Sequence, residues 1–366
     1  MKVAIVLNTS WNIYNFRMGL IDSLQKAGHQ IYAIAPKDEY TRYLKEQGCI
    51  FEKITMDSRG ANPVKDLALT IELYRIYKRI RPDVILHFTI KPNIYGSFAA
   101  HLLNIPVINN VCGLGTVFLK RGFVYKIAKL MYRLSFRYPH KVLFQNEEDR
   151  NLFIREKLID ANKTDIVPGS GIDLDKFMYQ NLPGNNEFTF LLISRLIYDK
   201  GIVDYVEAIK KLKKTGIRAK FQLLGAIDEK HKRGIQARLI RSWIKSETID
   251  YLGRVEDVRE FIKNADCIVL PSYREGTPRT LLEASSMGRP IIATDVAGCN
   301  NVVKNNYNGF LCKLMDPGDL ARKMEEMQNL PVNERRRMGV RGRQRMETCF
   351  NENLVIDKYL RAISNL

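Results

Sequence analysis

Asp266-Cys267-Ile268-Val269-Leu270-Pro271-Ser272-Tyr273-Arg274-Glu275-Gly276-Thr277-Pro278-Arg279-Thr280-Leu281-Leu282-Glu283-Ala284 is the stretch from which the fold is read. It begins as a short continuous apolar run, the pattern of a strand buried on both faces, and that run stops at Pro271. After a polar turn the pattern predicts a helix with Thr277 as N-cap and Pro278 at the first helical position. This is one strand–helix unit. Outward from it, strand candidates fall at 2–8, 30–36, 50–56, 83–89, 106–112 and 141–146, then at 188–194, 219–224, 248–252, 266–271 and 290–294. Helical periodicity, as in Lys65–Arg79, separates them. Such alternation implies parallel sheets covered by helices on both faces, an α/β fold with two doubly wound domains. The 366 residues suit two domains at roughly 150 each. The expected division is 1–168, a turn-rich linker 169–186, a second domain 187–345, and a C-terminal helix within 346–366 that returns to the first domain.

Hydrophobic residues are 45% and charged residues 27%, which excludes wholesale disorder. The 58 Lys+Arg exceed the 40 Asp+Glu by 18, so an anionic partner is expected: nucleic acid, a phosphorylated small molecule or an acidic membrane face. The six cysteines stand alone and the five histidines are scattered, so neither a zinc cluster nor a disulfide framework is expected, and the compartment reads as reducing. Val3-Ala4-Ile5-Val6-Leu7 reads as a strand rather than a signal peptide. Pro92–Leu119, the longest uncharged run, is broken by Asn93, His101, Asn104 and Pro106, so membrane contact is expected to be peripheral.

Ligands of doubly wound sheets bind beyond the carboxyl ends of the strands. There, the amides of Arg279 and Thr280 open a helix and form an anion site at its positive end. Glu275 precedes that site and Glu283 lies inside the helix; the pair reads either as hydroxyl ligands for a sugar and a ribose or as solvated acids. Ser194-Arg195-Leu196-Ile197-Tyr198-Asp199-Lys200-Gly201 places two cations five positions apart, fit for a diphosphate or for a solvated basic turn. Gly225 and Gly253-Arg254-Val255 end two further strands. Asp173-Leu174-Asp175 has no accompanying carboxylate cluster and reads as a turn rather than a metal site. Gly113-Leu114-Gly115 lacks the third glycine of a dinucleotide fingerprint.

The first half carries a second signal. From Val84 to Asn146 there is no Asp or Glu, while Lys91, Lys120, Arg121, Lys126, Lys129, Arg133, Arg137 and Lys141 are basic. Phe118–Arg137 interleaves aromatics with these cations. It reads as a helix at an anionic bilayer surface or as a core-facing helix with a basic outer face. His87 and Lys91 close the fourth strand and are candidates to approach a sugar or phosphate; a lone histidine also reads as packed.

Glu275 and Glu283, with seven residues between them, resemble the E-x7-E motif of the retaining glycosyltransferases of family 4. Pro271–Gly276, Gly288-Arg289-Pro290-Ile291-Ile292-Ala293-Thr294-Asp295 and Asn308-Gly309-Phe310-Leu311 are similar to that family as well. The resemblance implies two Rossmann-like doubly wound domains facing a cleft, the GT-B arrangement, with a sugar nucleotide held mainly by the C-terminal one. It implies that Arg195 and Lys200 grip the donor diphosphate, with Glu275 placing the donor sugar and Glu283 the ribose. Gly276, Thr277, Arg279, Thr280, Gly225, Arg254 and Val255 complete the implied donor site, with no metal cofactor.

Ile13-Tyr14-Asn15-Phe16-Arg17, Pro36–Thr41 and Thr89-Ile90-Lys91-Pro92-Asn93-Ile94-Tyr95-Gly96 resemble a bacterial subgroup acting on undecaprenyl-diphosphate-linked sugars. That likeness implies a UDP-sugar donor, UDP-GalNAc first among them, and a polyprenyl-diphosphate-sugar acceptor. It also implies a cytoplasmic protein held peripherally at the anionic inner leaflet, with Lys91, His87, Lys120, Arg121, Lys126 and Lys129 toward acceptor or lipid phosphate. The alternatives are a GDP-sugar or soluble-acceptor transferase and a non-enzymatic membrane- or nucleic-acid-binding protein. No nucleic-acid module is recognised in the chain, so nucleic acid is not expected as a partner.

Overall fold

In the computed structural model, which describes residues 1–57, 62–114, 122–184, 186–229 and 231–366, thirteen strands form two sheets. The chain divides into two compact units, Met1–Ser170 with Glu352–Leu366, and Gly171–Asn351.

The first unit holds β1 (Lys2–Val6), β2 (Gln30–Ala35), β3 (Ile50–Lys53), β4 (Val84–Phe88), β5 (Val107–Val111), β6 (Lys141–Phe144) and β7 (Thr164–Ile166). They pair in parallel in the order β3-β2-β1-β4-β5-β6-β7. Val3, Ala4, Ile5 and Val6 are fully buried, because helices cover both faces of β1 and leave no solvated side for polar alternation. The C-terminal helix Glu352–Ser364 belongs to this unit, packs on the helix Ser10–Lys26 and adds Val355, Ile356, Tyr359 and Ile363 to the core shared with β1, β2 and β4.

The second unit holds β8 (Thr189–Ile193), β9 (Lys220–Leu224), β10 (Asp250–Tyr251), β11 (Cys267–Leu270), β12 (Ile291–Thr294) and β13 (Gly309–Cys312). Their order is β10-β9-β8-β11-β12-β13, again parallel. Residues 171–184, expected to be a linker, pack into this unit. Ile172 and Phe177 join its core, and the buried Arg289 guanidinium donates to the carbonyls of Gln180 and Asn181.

In each sheet the chain reverses its direction of travel once, at β1/β4 and at β8/β11. The loops at the carboxyl ends of those neighbours splay apart, and such switch points are where doubly wound sheets place ligands. β7 and β13 were not expected from the sequence. Both are edge strands: β7, Thr-Asp-Ile, shows no apolar run, and β13, Gly-Phe-Leu-Cys, is only four residues long and opens on a glycine.

Candidate active site

At the β8/β11 switch point three loops meet. The first, Ser194–Gly201, turns through Tyr198–Lys200 and enters the helix Ile202–Lys214 at Gly201. Gly201 is required twice: its φ is +68°, and a Cβ there would lie 2.0 Å from the Pro271 carbonyl oxygen. That close approach seats the first loop on the second, Pro271–Pro278. The Tyr273 N–H donates to the Asp199 carbonyl at 2.9 Å. The third loop contributes Gly298, with φ +86°, where a Cβ would be 2.3 Å from the Gly276 oxygen. The Glu275 N–H bonds the Ala297 carbonyl at 3.3 Å.

This packing joins Lys200 to Glu275 through an ion pair between Nζ and Oε1, with side-chain exposures of 19% and 12%. The two residues are 75 positions apart, so nothing in the sequence signals their contact. Arg195, by contrast, is exposed and makes no ion pair among the described residues. Of the two cations expected to meet a diphosphate, Lys200 is therefore tied to a carboxylate and Arg195 is not.

The helix after the second loop runs from Arg279 to Ser286. Pro278, expected at the first helical position, is instead the N-cap, with extended φ −71° and ψ 114°. Its carbonyl accepts from Leu281 at 3.0 Å, so the helix begins one residue later than the sequence suggests. The first-turn amides of Arg279 and Thr280 point out of the helix start. The side chains of these two residues are engaged elsewhere. Arg279 bonds Glu283 at 3.1 Å and the Gly171 carbonyl at 2.6 Å, and the Thr280 hydroxyl donates to the Ile193 carbonyl at 3.2 Å. Burial raises the Glu283 carboxyl above the usual range, and the Arg279 guanidinium works against that rise.

Gly225 closes β9 against the first loop. A Cβ at Gly225 would lie 1.8 Å from the Ser194 oxygen, and the Gly225 N–H donates to the Gly253 carbonyl at 2.8 Å. Arg254 is exposed and Val255 half-buried on the loop after β10, on the side of β9 away from β11. The bracing of the first loop is not legible in the sequence, whereas the expected turn at Asp173 is present. The Arg233 guanidinium pairs with Asp199 at 2.6 Å, and the Arg233 carbonyl accepts from Tyr198, bracing the turn that carries Lys200. The Asp173 carboxylate accepts from the amides of Asp175 and Lys176, so Asp173-Leu174-Asp175 is a turn.

In the first unit, two expected phosphate ligands are spoken for. His87 is fully buried, with Nε2 at 2.9 Å from the Tyr77 hydroxyl and Nδ1 at 3.0 Å from the Asn109 amide oxygen. Burial lowers its pKa to about 3, so it is a neutral core residue rather than a ligand. Lys91 pairs with Asp66 at 2.7 Å, a carboxylate supplied from outside the acid-free stretch by the helix Pro63–Ile80. Lys129 pairs with Glu156, while Lys126 is exposed. Lys120 and Arg121 lie outside the described residues.

Two doubly wound units, the second with cations, a carboxylate and a helix start gathered at its switch point, define an α/β class of protein suited to an anionic ligand. Two family models match: the one described as "Glycosyl transferases group 1" over residues 174–345, and the one described as "Glycosyl transferase 4-like" over residues 2–146. Glycosyltransferase domains thus make up both halves of the chain, and it is a transferase. It is 28% identical to the N,N'-diacetylbacillosaminyl-diphospho-undecaprenol alpha-1,3-N-acetylgalactosaminyltransferase of Campylobacter jejuni, over 99% of this chain and 98% of that one. It is 26% identical to the UDP-Gal:alpha-D-GlcNAc-diphosphoundecaprenol alpha-1,3-galactosyltransferase of Escherichia coli, over 82% and 83%. In structure it is similar to Anabaena HepE in complex with UDP, with a TM-score of 0.80 and 17% identity over all of both chains. The two α/β units are thus the GT-B fold.

Proposed function

We propose that the protein is a retaining transferase that moves a hexose or N-acetylhexosamine from a UDP-sugar to an undecaprenyl-diphosphate-linked sugar, with UDP-GalNAc as the donor. The observation that carries the reading is the gathering of Arg195, the Lys200–Glu275 pair and the helix start at Arg279 on one switch point. The near full-length likeness to an enzyme named for a diphospho-undecaprenol acceptor supports the choice of acceptor. The acetamido group and the epimer at C4 rest on that likeness alone.

As the glycosidic bond breaks, negative charge grows on the departing diphosphate. Fixed cations and amide dipoles aimed at that charge need no reorganisation, and loss of one such donor costs about 3–4 kcal/mol. Lys200 and Arg195 fill that role with the amides of Arg279 and Thr280, without a divalent ion. Glu275 accepts from a hydroxyl of the donor sugar, and Glu283 from the ribose. The acceptor attacks from the face the leaving group departs, through an oxocarbenium-like state. The departing phosphate takes the acceptor proton, so anomeric configuration is retained and no protein nucleophile is needed.

The acceptor's lipid draws the enzyme to the cytoplasmic leaflet. On the helix Phe123–Ser135, Ile127, Leu130 and Leu134 are 44%, 55% and 38% exposed. With Lys126 and Arg133 they span an arc of about 120° on one helix face. Exposed apolar side chains edged by cations match the acyl boundary and phosphates of an anionic bilayer. Among the described residues no helix is long and apolar enough to cross a membrane. Incubation with a panel of UDP- and GDP-sugars and a short polyprenyl-diphosphate-sugar, with nucleotide release and product anomer as readouts, tests the reading. Release of GDP alone, or an inverted product, contradicts it.

A further inference from the structure

Two sequence motifs of the first unit, Ile13–Arg17 and Thr89–Gly96, are brought together at their ends by the fold. Arg17 lies on the helix Ser10–Lys26 that follows β1, and its guanidinium stacks on the Phe88 ring at 4.2 Å. Phe88 is the last residue of β4, and Thr89 is the next. The meeting point is the β1/β4 switch of the sheet.

Arg17 is only 5% exposed, makes no ion pair among the described residues, and its Nε has no hydrogen-bond partner. The Cys112 thiol lies against it, but burial pushes that thiol up, so it stays neutral and supplies no counter-charge. Around it stand neutral groups already committed to one another. Asn110 donates to the Tyr359 hydroxyl at 2.6 Å, and the Cys112 thiol to the Asn110 amide oxygen at 3.1 Å. Thr89 adds a second irregularity. It is β-branched yet holds φ +70°, and its buried hydroxyl has no partner. Strain of this kind persists where surrounding structure imposes it, and it concentrates at ligand sites. The backbone then enters a π-turn over Pro92–Gly96, a further irregularity common at functional sites.

A buried guanidinium without a counter-ion is costly unless an anion arrives to meet it. Both unpaired groups, the Arg17 Nε–H and the Thr89 hydroxyl, donate hydrogen bonds, and both flank the carboxyl end of β4. We propose that Arg17 and Thr89 form an anion subsite of the first unit that receives a phosphate of the acceptor's diphosphate. The inference rests on the lipid-diphosphate acceptor proposed above and names the group that holds it. It also gives the cation that Lys91 and His87, occupied by Asp66 and Tyr77, do not provide.

The experiment uses the full chain saturated with UDP, so that the donor site is closed to competitors, and titrates inorganic pyrophosphate by calorimetry. Wild type is expected to bind it, and Arg17→Met to bind it at least about tenfold more weakly. UDP affinity and melting temperature of Arg17→Met stay level or rise, because an uncompensated buried charge is removed. Thr89→Val, which keeps the β-branch and deletes the hydroxyl, weakens pyrophosphate by a few-fold with the same controls. A second arm compares a polyprenyl-diphosphate-sugar with an alkyl glycoside of the same sugar. Arg17→Met raises the KM of the former and not of the latter. Equal pyrophosphate binding by wild type and both variants overturns the subsite, as does loss of UDP binding and of thermal stability together in Arg17→Met. If pyrophosphate binds through Arg17 but no polyprenyl acceptor is used, the subsite stands and the acceptor reading falls.

Discussion

Replacing Glu275 by Gln separates two roles that the Lys200–Glu275 pair combines. With side chains 19% and 12% exposed, the pair is largely shielded from solvent, so each charge matters to the other more than in a surface pair. In the unliganded enzyme Glu275 holds Lys200, and an incoming diphosphate must compete for it. Glu275→Gln keeps the side-chain volume and removes the competing charge. UDP, which carries no sugar for Glu275 to hold, should then bind more tightly, by about three- to tenfold for roughly 1 kcal/mol of released competition. Turnover should fall in the same variant, because the donor hydroxyl loses its acceptor. Lys200→Met should do the reverse in binding and lower kcat by about 10²–10³-fold, the loss of one donor to the developing charge. Calorimetry with UDP and initial rates of UDP release measure both. Coupling of about 0.5–3 kcal/mol is expected in the double variant, since the two side chains touch. Weaker UDP binding by Glu275→Gln, or wild-type turnover in Lys200→Met, would refute the reasoning.

Arg195→Ala should leave stability within about 0.5 kcal/mol, the side chain being exposed, while UDP affinity drops about tenfold and its salt dependence flattens; a thermal melt and calorimetry at two salt concentrations check both. His87, with its pKa lowered to about 3 in the fold against 6.5 when unfolded, stabilises the protein fully above pH 6.5. That contribution is lost as pH falls from 6.5 toward 3, at about 1.4 kcal/mol per pH unit, and denaturant titrations of His87→Asn should show a flatter slope over that window. Leu130→Asp on the exposed face should reduce co-sedimentation with anionic vesicles by about tenfold without changing the melting temperature, whereas unchanged sedimentation removes this helix from the membrane account. Chelators should leave turnover intact, and manganese should not raise it; rescue by manganese after chelation assigns the charge-stabilising role to a metal ion.

Those side chains differ in how visible they were before the fold was known. Most buried strands of both sheets announce themselves as short apolar runs, and the glycines and cations after β8 and β11 fall where a parallel sheet places ligands. Their ends are less legible. Pro278 suits a first helical position by composition, yet its ψ of 114° makes it the cap, a distinction set by the loop behind it. β7 and β13 are short edge strands whose pairing, not whose composition, makes them strands. The acid-free stretch from Val84 to Asn146 made Lys91 and Lys129 candidates for a lipid phosphate. Asp66 and Glu156 come from elsewhere in the chain to neutralise Lys91 and Lys129, a pairing only tertiary structure discloses. The same holds for Arg17, which reads as one more helix cation until its guanidinium is found buried on Phe88.

The central claim is that side-chain cations and helix amides of the second unit stabilise the departing UDP. A crystal structure with UDP bound tests it most directly. The account predicts the pyrophosphate within hydrogen-bonding distance of Arg195, Lys200 and the amides opening the Arg279–Ser286 helix. A pyrophosphate seated away from all three, or held there chiefly by a divalent cation, would contradict it.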